Sequence, residues 1–140
     1  MDLYLLMAGK VDGVDLQRNW IKYLGELPQR EIPASIAACD VVTIPYANDP
    51  FNSMTGACKI AEYLACGKPV VATRVAGHEA MFNEAPASIC DISPLGIMQA
   101  IKSQLKLRQV GNFPERLEWE AIGRELFRYM CFLLNPVNDP

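Results

Sequence analysis

Lys59-Ile-Ala-Glu-Tyr-Leu-Ala-Cys-Gly-Lys-Pro-Val-Val-Ala-Thr73 is the stretch that decides the fold. Together with Ala57, the apolar residues Ile60, Ala61, Leu64 and Ala65 recur at intervals of three and four, which is one face of a helix. Gly67 supplies the stop, because glycine takes the left-handed conformation that closes a last turn. The run that follows is apolar without alternation, as in a strand covered on both faces, and Pro69 is tolerated as its first residue. The spacing predicts a helix over Thr55–Cys66 and a strand over Pro69–Thr73.

Reading outward gives the same alternation. Leu3–Ala8 is a second continuous apolar run, stopped by Gly9, and predicts another strand covered on both faces. Trp20–Leu24 predicts a strand closed by Gly25. Glu31–Cys39 predicts a short helix, with Ile32 and Ile36 four apart and Pro33 in its first turn. Val41–Ile44 is a strand cut off by Pro45, and Tyr46–Ser53 reads as a loop rich in Asn, Asp and Pro. Gly77–Asn83 reads as helical and Ala87–Cys90 as a short strand. Ser93-Pro94 opens a helix carrying Ile97, Ile101 and Leu105. A long final helix spans Glu115–Leu134 with Ile122, Leu126, Met130 and Leu133 on one stripe. Residues 1–134 are thus expected as one domain and residues 135–140 as a flexible tail. Strands alternating with helices imply an α/β fold with a parallel sheet. In such sheets ligands sit beyond the carboxyl ends of the strands, here the loops after Gly9, Leu24, Ile44 and Thr73.

Composition limits the function classes. The 140 residues are half apolar and carry a net charge of −3. No basic run exists, so nucleic acid is not an expected partner. Five widely spaced cysteines, no Cys-x-x-Cys pair and a single histidine give no zinc pattern, and no metal is expected. Free thiols fit a reducing, cytoplasmic setting. The apolar run at the N-terminus meets Lys10, Asp12 and Asp15 too soon to be a signal peptide or a membrane span.

Ser53-Met-Thr-Gly56, at the predicted start of the Thr55–Cys66 helix, could seat a phosphate. The first N–H groups of a helix are unpaired and carry partial positive charge. The plainer reading is an ordinary capped helix. Glu62 lies beside the apolar face of that helix, and a carboxylate accepts both hydroxyls of a ribose; the plainer reading is a solvated glutamate. Lys59 and Arg74 are weaker anion candidates. An ion pair with Glu62 competes for Lys59, while Arg74 lies just past the end of a strand. Lys68, in the turn, reads as solvated. Asp49, Asn48 and Asn52 suit sugar hydroxyls, but turn chemistry explains them as well. Cys58 and Cys66 read as small packing residues. His78 has no visible nucleophile beside it, so no catalytic residue is assigned.

The blocks Tyr23-Leu-Gly-Glu-Leu27, Ile36-Ala-Ala-Cys-Asp-Val-Val-Thr-Ile-Pro45, Lys59–Thr73 and Gly77-His-Glu79 together resemble the C-terminal domain of retaining glycosyltransferases of the GT-B fold, the group-1 family. The resemblance covers roughly residues 3 to 130 and includes Trp119, where that family often has an aromatic residue. It implies a Rossmann-like parallel sheet flanked by helices, binding a nucleotide-diphosphate sugar as substrate, with no cofactor. The resemblance places Glu62 on the donor ribose. It places Ser53, Met54, Thr55 and Gly56 on the diphosphate and donor sugar, and Glu26, Leu27 and Pro28 near the base.

Two departures accompany the resemblance. Many members carry a glutamate eight residues before the ribose acid, where this chain has Met54; Thr55-Gly-Ala-Cys-Lys-Ile-Ala-Glu-Tyr63 is closer to a subgroup pattern. The family's domain also begins one strand–helix unit earlier, and that unit carries an Arg and a Lys for the diphosphate. Without it, either Leu3–Ala8 pairs directly with Val41–Ile44, or an apolar slot is left between them. The expected partners are therefore a nucleotide sugar and either a separate N-terminal acceptor-domain chain or a second copy joined through an open sheet edge. Turnover by this chain alone is not expected, because half of the cleft would be missing. The alternative is a non-catalytic nucleotide- or partner-binding module derived from the same fold.

Overall fold

The computed structural model describes residues 3–54, 58–79 and 81–134. Among the described residues five short strands all pair in parallel and helices follow every strand but the first, which is the α/β architecture expected from the alternation. The strands fall into two sheets. β1 (Leu5–Met7) pairs with β2 (Ile21–Tyr23), while β3 (Val42–Ile44), β4 (Val70–Thr73) and β5 (Ile89–Cys90) pair in that order. Direct closure of β1 onto β3, one of the two arrangements expected, is not what forms: no ladder joins them among the described residues.

The core sits on the three-stranded sheet. β4 is buried at every residue, as its unbroken apolar run requires. Val70 and Ala72 join Val42 and Ile44 of β3 in one cluster with Ile60 and Leu64 of α3 (Cys58–Ala65). Ile36 of α1 (Ile32–Ala37), Phe82 and Ala85 complete it. The predicted end of α3 is confirmed in detail. Gly67, at φ +63°, donates to the Leu64 carbonyl at 2.9 Å, and the Lys68 N–H donates to that of Tyr63 at 3.1 Å. These are the two reversed bonds of a Schellman stop. Cys66 packs against the cluster as expected, but Cys58 is exposed and is not a packing residue.

α5 (Pro94–Leu107) lies against β4. Ser93 caps it, its hydroxyl accepting the Gly96 N–H at 2.9 Å. Gln104 of this helix is fully buried. Its amide nitrogen donates to the Val70 carbonyl at 3.2 Å and to the Ser88 hydroxyl at 3.0 Å, and its oxygen accepts the Gln109 N–H. Both ends of the amide are thus satisfied inside the core.

Three expectations change. The segment read as a loop over Tyr46–Ser53 runs into α2 (Pro50–Met54) from Pro50 onward. Asp49 caps it, accepting the Asn52 N–H at 2.8 Å, with Pro50 as the first helical residue. The helix predicted over Gly77–Asn83 is the single turn α4 (Ala76–Glu79). The final helix α6 spans Trp119–Leu134 after a 3-10 turn over Glu115–Leu117, and none of its residues is buried. Its stripe of Ile122, Leu126, Met130 and Leu133 is therefore formed but uncovered. No helix among the described residues is long and apolar enough to cross a membrane. The tail at 135–140 lies outside the described residues.

Candidate functional site

The carboxyl ends of β3 and β4 are bound to one another. The Thr73 hydroxyl, buried at the end of β4, donates to the Tyr46 carbonyl at 2.7 Å, fixing where the chain leaves β3. His78 packs beneath this edge and is fully buried. Its Nδ1 lies 2.8 Å from the Thr73 carbonyl oxygen. A carbonyl oxygen can only accept, so Nδ1 carries a proton and donates it here. Nε2 has no hydrogen-bond partner among the described residues. The Tyr46 ring stands 5.4 Å from the imidazole, tilted by 47°. Lys59 Nζ lies 5.7 Å from the centre of the Tyr46 ring and donates to its hydroxyl at 3.4 Å. Lys59, Tyr46 and His78 thus form a column from solvent to core at the edge where α/β sheets bind ligands. The sequence reading passed over Tyr46; its position one residue past the Pro45 strand stop was the available signal.

Glu62 is exposed on α3, and its carboxylate has no ion-pair or hydrogen-bond partner among the described residues. The competing reading, an ion pair with Lys59, does not form, because Lys59 turns to Tyr46. The adjoining Tyr63 hydroxyl has its pKa pushed up, chiefly by burial and then by the Glu62 charge.

The other candidates are dispersed. Ser53 lies in the last turn of α2, where its N–H donates to the Asp49 carbonyl and its hydroxyl to Asn48 Oδ1 at 3.2 Å. It therefore closes α2 rather than opening the Glu62 helix. Met54 is 88% exposed. Thr55 and Gly56 lie outside the described residues. Asp49 and Asn52 bond to each other, so turn and cap chemistry accounts for both. Arg74 is engaged by Glu79, at 2.5 Å from Nη1, and by Asp91, at 3.8 Å from Nε, which reduces what it can offer an anion. In the loop after β2, Glu26 stands 3.7 Å from Lys10, Leu27 is half-buried and Pro28 exposed. No described hydrogen bond or ion pair joins that loop to α3.

A shallow cavity of about 170 Å³ lies at the opposite edge of the sheet, lined by Cys39, Asp40, Lys68 and Arg108 among others. Its cations have structural work. Lys68 Nζ donates to the Ala37 carbonyl at 2.5 Å, at the negative end of α1. Arg108, the left-handed cap of α5 at φ +50°, lies 3.5 Å from Asp40. Burial pushes the Cys39 thiol pKa up despite Lys68 nearby, so this thiol is not an activated nucleophile.

A family model described as glycosyl transferases group 1 matches residues 2–107. No curated protein matches the chain.

Proposed function

The chain belongs to the group 1 glycosyl transferases, and from that premise we propose that it forms the donor half of a glycosyl transfer site, binding a nucleotide-diphosphate sugar at the carboxyl edge of β3 and β4. Glu62 accepts the ribose hydroxyls. Lys59, which no carboxylate neutralises among the described residues, is the cation best placed to meet the diphosphate. Arg74 contributes only if Glu79 or Asp91 releases it. Ser53, Met54, Thr55 and Gly56 line the phosphate and donor-sugar side, and Glu26, Leu27 and Pro28 the base. In this reading the chain takes the C-terminal role in a retaining transferase. An acceptor domain must close the cleft before chemistry occurs, since reacting groups have to be held in register.

The observation that carries the reading is the exposed, unpartnered Glu62 carboxylate within the matched family region. Calorimetric titration with UDP, GDP and ADP tests it. One nucleotide is expected to bind, and Glu62→Ala to weaken it about tenfold to a hundredfold, the worth of a hydrogen bond to a charged group. Equal affinity in the variant, or no binding of any nucleotide by folded protein, rejects the ribose assignment. The divided sheet favours a second reading, a partner-binding module without turnover. Silence from all three nucleotides would select it.

A further inference from the structure

His78 is the only histidine of the chain and is fully buried, so it meets no ligand directly. Its place follows from the turn that ends β4. The Val75 carbonyl accepts the His78 N–H at 2.8 Å and the Glu79 N–H at 3.2 Å, which closes the single turn α4. That turn carries the imidazole back to the strand end, where Nδ1 donates to the Thr73 carbonyl at 2.8 Å. Filling the space needs only bulk, which a phenylalanine would supply. What the imidazole adds is a donor for a carbonyl inside the buried edge.

Thr73 passes the constraint across the sheet. The ladder between β3 and β4 ends with Ile44 opposite Ala72, and Pro45, next in the chain, has no N–H with which to extend it. Past the ladder Tyr46 is held by the Thr73 hydroxyl, 2.7 Å from the Tyr46 carbonyl, with the Ile44 carbonyl the longer partner at 3.3 Å. Thr73 is thus gripped through its carbonyl by His78 and grips Tyr46 through its hydroxyl. The half-buried Tyr46 ring then meets the imidazole at 5.4 Å, and its hydroxyl accepts from Lys59 Nζ at 3.4 Å.

We infer that His78 is a positioning residue for Lys59: by fixing Thr73 it fixes Tyr46, and Tyr46 sets where the Lys59 ammonium stands at the carboxyl edge of β3 and β4. A lysine on an exposed helix face has a flexible four-carbon stem and many rotamers. An ammonium already held in one place loses less freedom when an anion arrives. The consequence for a ligand rests on Lys59 meeting the diphosphate as proposed; the positioning does not.

Two measurements on the 140-residue chain separate these. In the free chain, NMR cross-relaxation between the Lys59 ε-methylene and the Tyr46 ring protons reads the positioning. It is expected in the native chain. It should persist in His78→Asn, whose side-chain amide puts an N–H at the place of Nδ1. It should be lost in His78→Phe, which keeps bulk and a ring without the donor, while Val42 and Val70 methyl signals show an intact core. If His78→Phe does not fold, Thr73→Val breaks the next link and should lose the same signal. Titration with inorganic pyrophosphate reads the consequence. His78→Phe is expected to weaken binding by about threefold to tenfold, and His78→Phe with Lys59→Met to bind no more weakly than Lys59→Met alone. A merely structural role would lower stability without moving Lys59, and its loss would add to that of Lys59→Met. The inference fails if the native chain lacks the cross-relaxation, or if folded His78→Phe or Thr73→Val keeps it. It also fails if His78→Asn loses the signal or if the two losses in affinity add. Cross-relaxation as expected with no pyrophosphate binding by the native chain would uphold the positioning and reject the diphosphate reading of Lys59.

Discussion

Glu62 and His78 are opposite cases at the scale of single residues. Glu62 is exposed and unpartnered, so Glu62→Ala should leave the urea midpoint nearly unmoved, within about 0.5 kcal/mol, while acting on ligand affinity. A large drop in stability would mean that the carboxylate has a structural role instead. Two thiols and a phenol, each at least partly buried, give a prediction in pH. Burial raises the pKa of Cys39 and Cys90 above the ordinary 9.0, and that of Tyr63 above 10.0. The folded state then holds these protons more tightly than the unfolded state. Stability is complete below pH 9 and is lost as pH rises above it. Urea midpoints measured from neutral pH upward should be flat and then fall, and Cys39→Ala combined with Cys90→Ala should flatten the fall. A midpoint that rises above pH 9 would contradict the sign. Glu62 was legible in the sequence because it interrupts an apolar helix. The Lys59–Tyr46–His78 column was not, since residues from three separate segments meet only after β3 and β4 pair.

Individual elements show why local signals were read well and tertiary ones poorly. Gly67 and Ser93 end and begin their helices as expected, because a Schellman stop and a hydroxyl cap are settled within a few residues. Ser93→Ala should therefore cost about 1 kcal/mol in thermal or urea unfolding. Gly96, in the first turn of α5, tests the same region in the other direction. Helix propensity alone favours Gly96→Ala by about 1 kcal/mol. The new Cβ, however, would stand 2.8 Å from the Asp91 carbonyl oxygen. The clash with backbone should win and the variant should be destabilised; a stabilised variant would show that Asp91 yields easily. α2 was missed because Asp49-Pro50 was read as turn chemistry, although the same pair is also a helix start. The stripe on α6 was read correctly as a helix face, but no periodicity states whether another element will cover it.

Taken whole, the chain divides into a covered part around β3, β4 and β5 and apolar surfaces that its own described residues leave open. Trp119 is 86% exposed, and Phe127, Phe132 and Leu134 on α6 are likewise exposed. Removing residues 119–140 should therefore change the unfolding midpoint of the core little and should lower self-association, read by light scattering across concentration. Loss of the folded core on truncation would show that α6 contributes more than its lack of burial indicates. The α/β class followed from the order of apolar runs alone. The division of the sheet did not, because a strand covered on both faces and one awaiting cover have the same composition.

The split between β1–β2 and the other strands also has a consequence during synthesis. A ribosome adds roughly 5–20 residues per second, so β4 follows β2 out of the tunnel after about two to ten seconds. Throughout that interval Leu3–Met7 and Trp20–Leu24 have emerged with their apolar side chains uncovered. The completed chain does not end the exposure, since Leu5 and Leu6 remain accessible after β3, β4 and β5 have paired. β1 thus pairs with β2 yet keeps its apolar side chains accessible, and the yield of soluble protein depends on what meets them in the meantime.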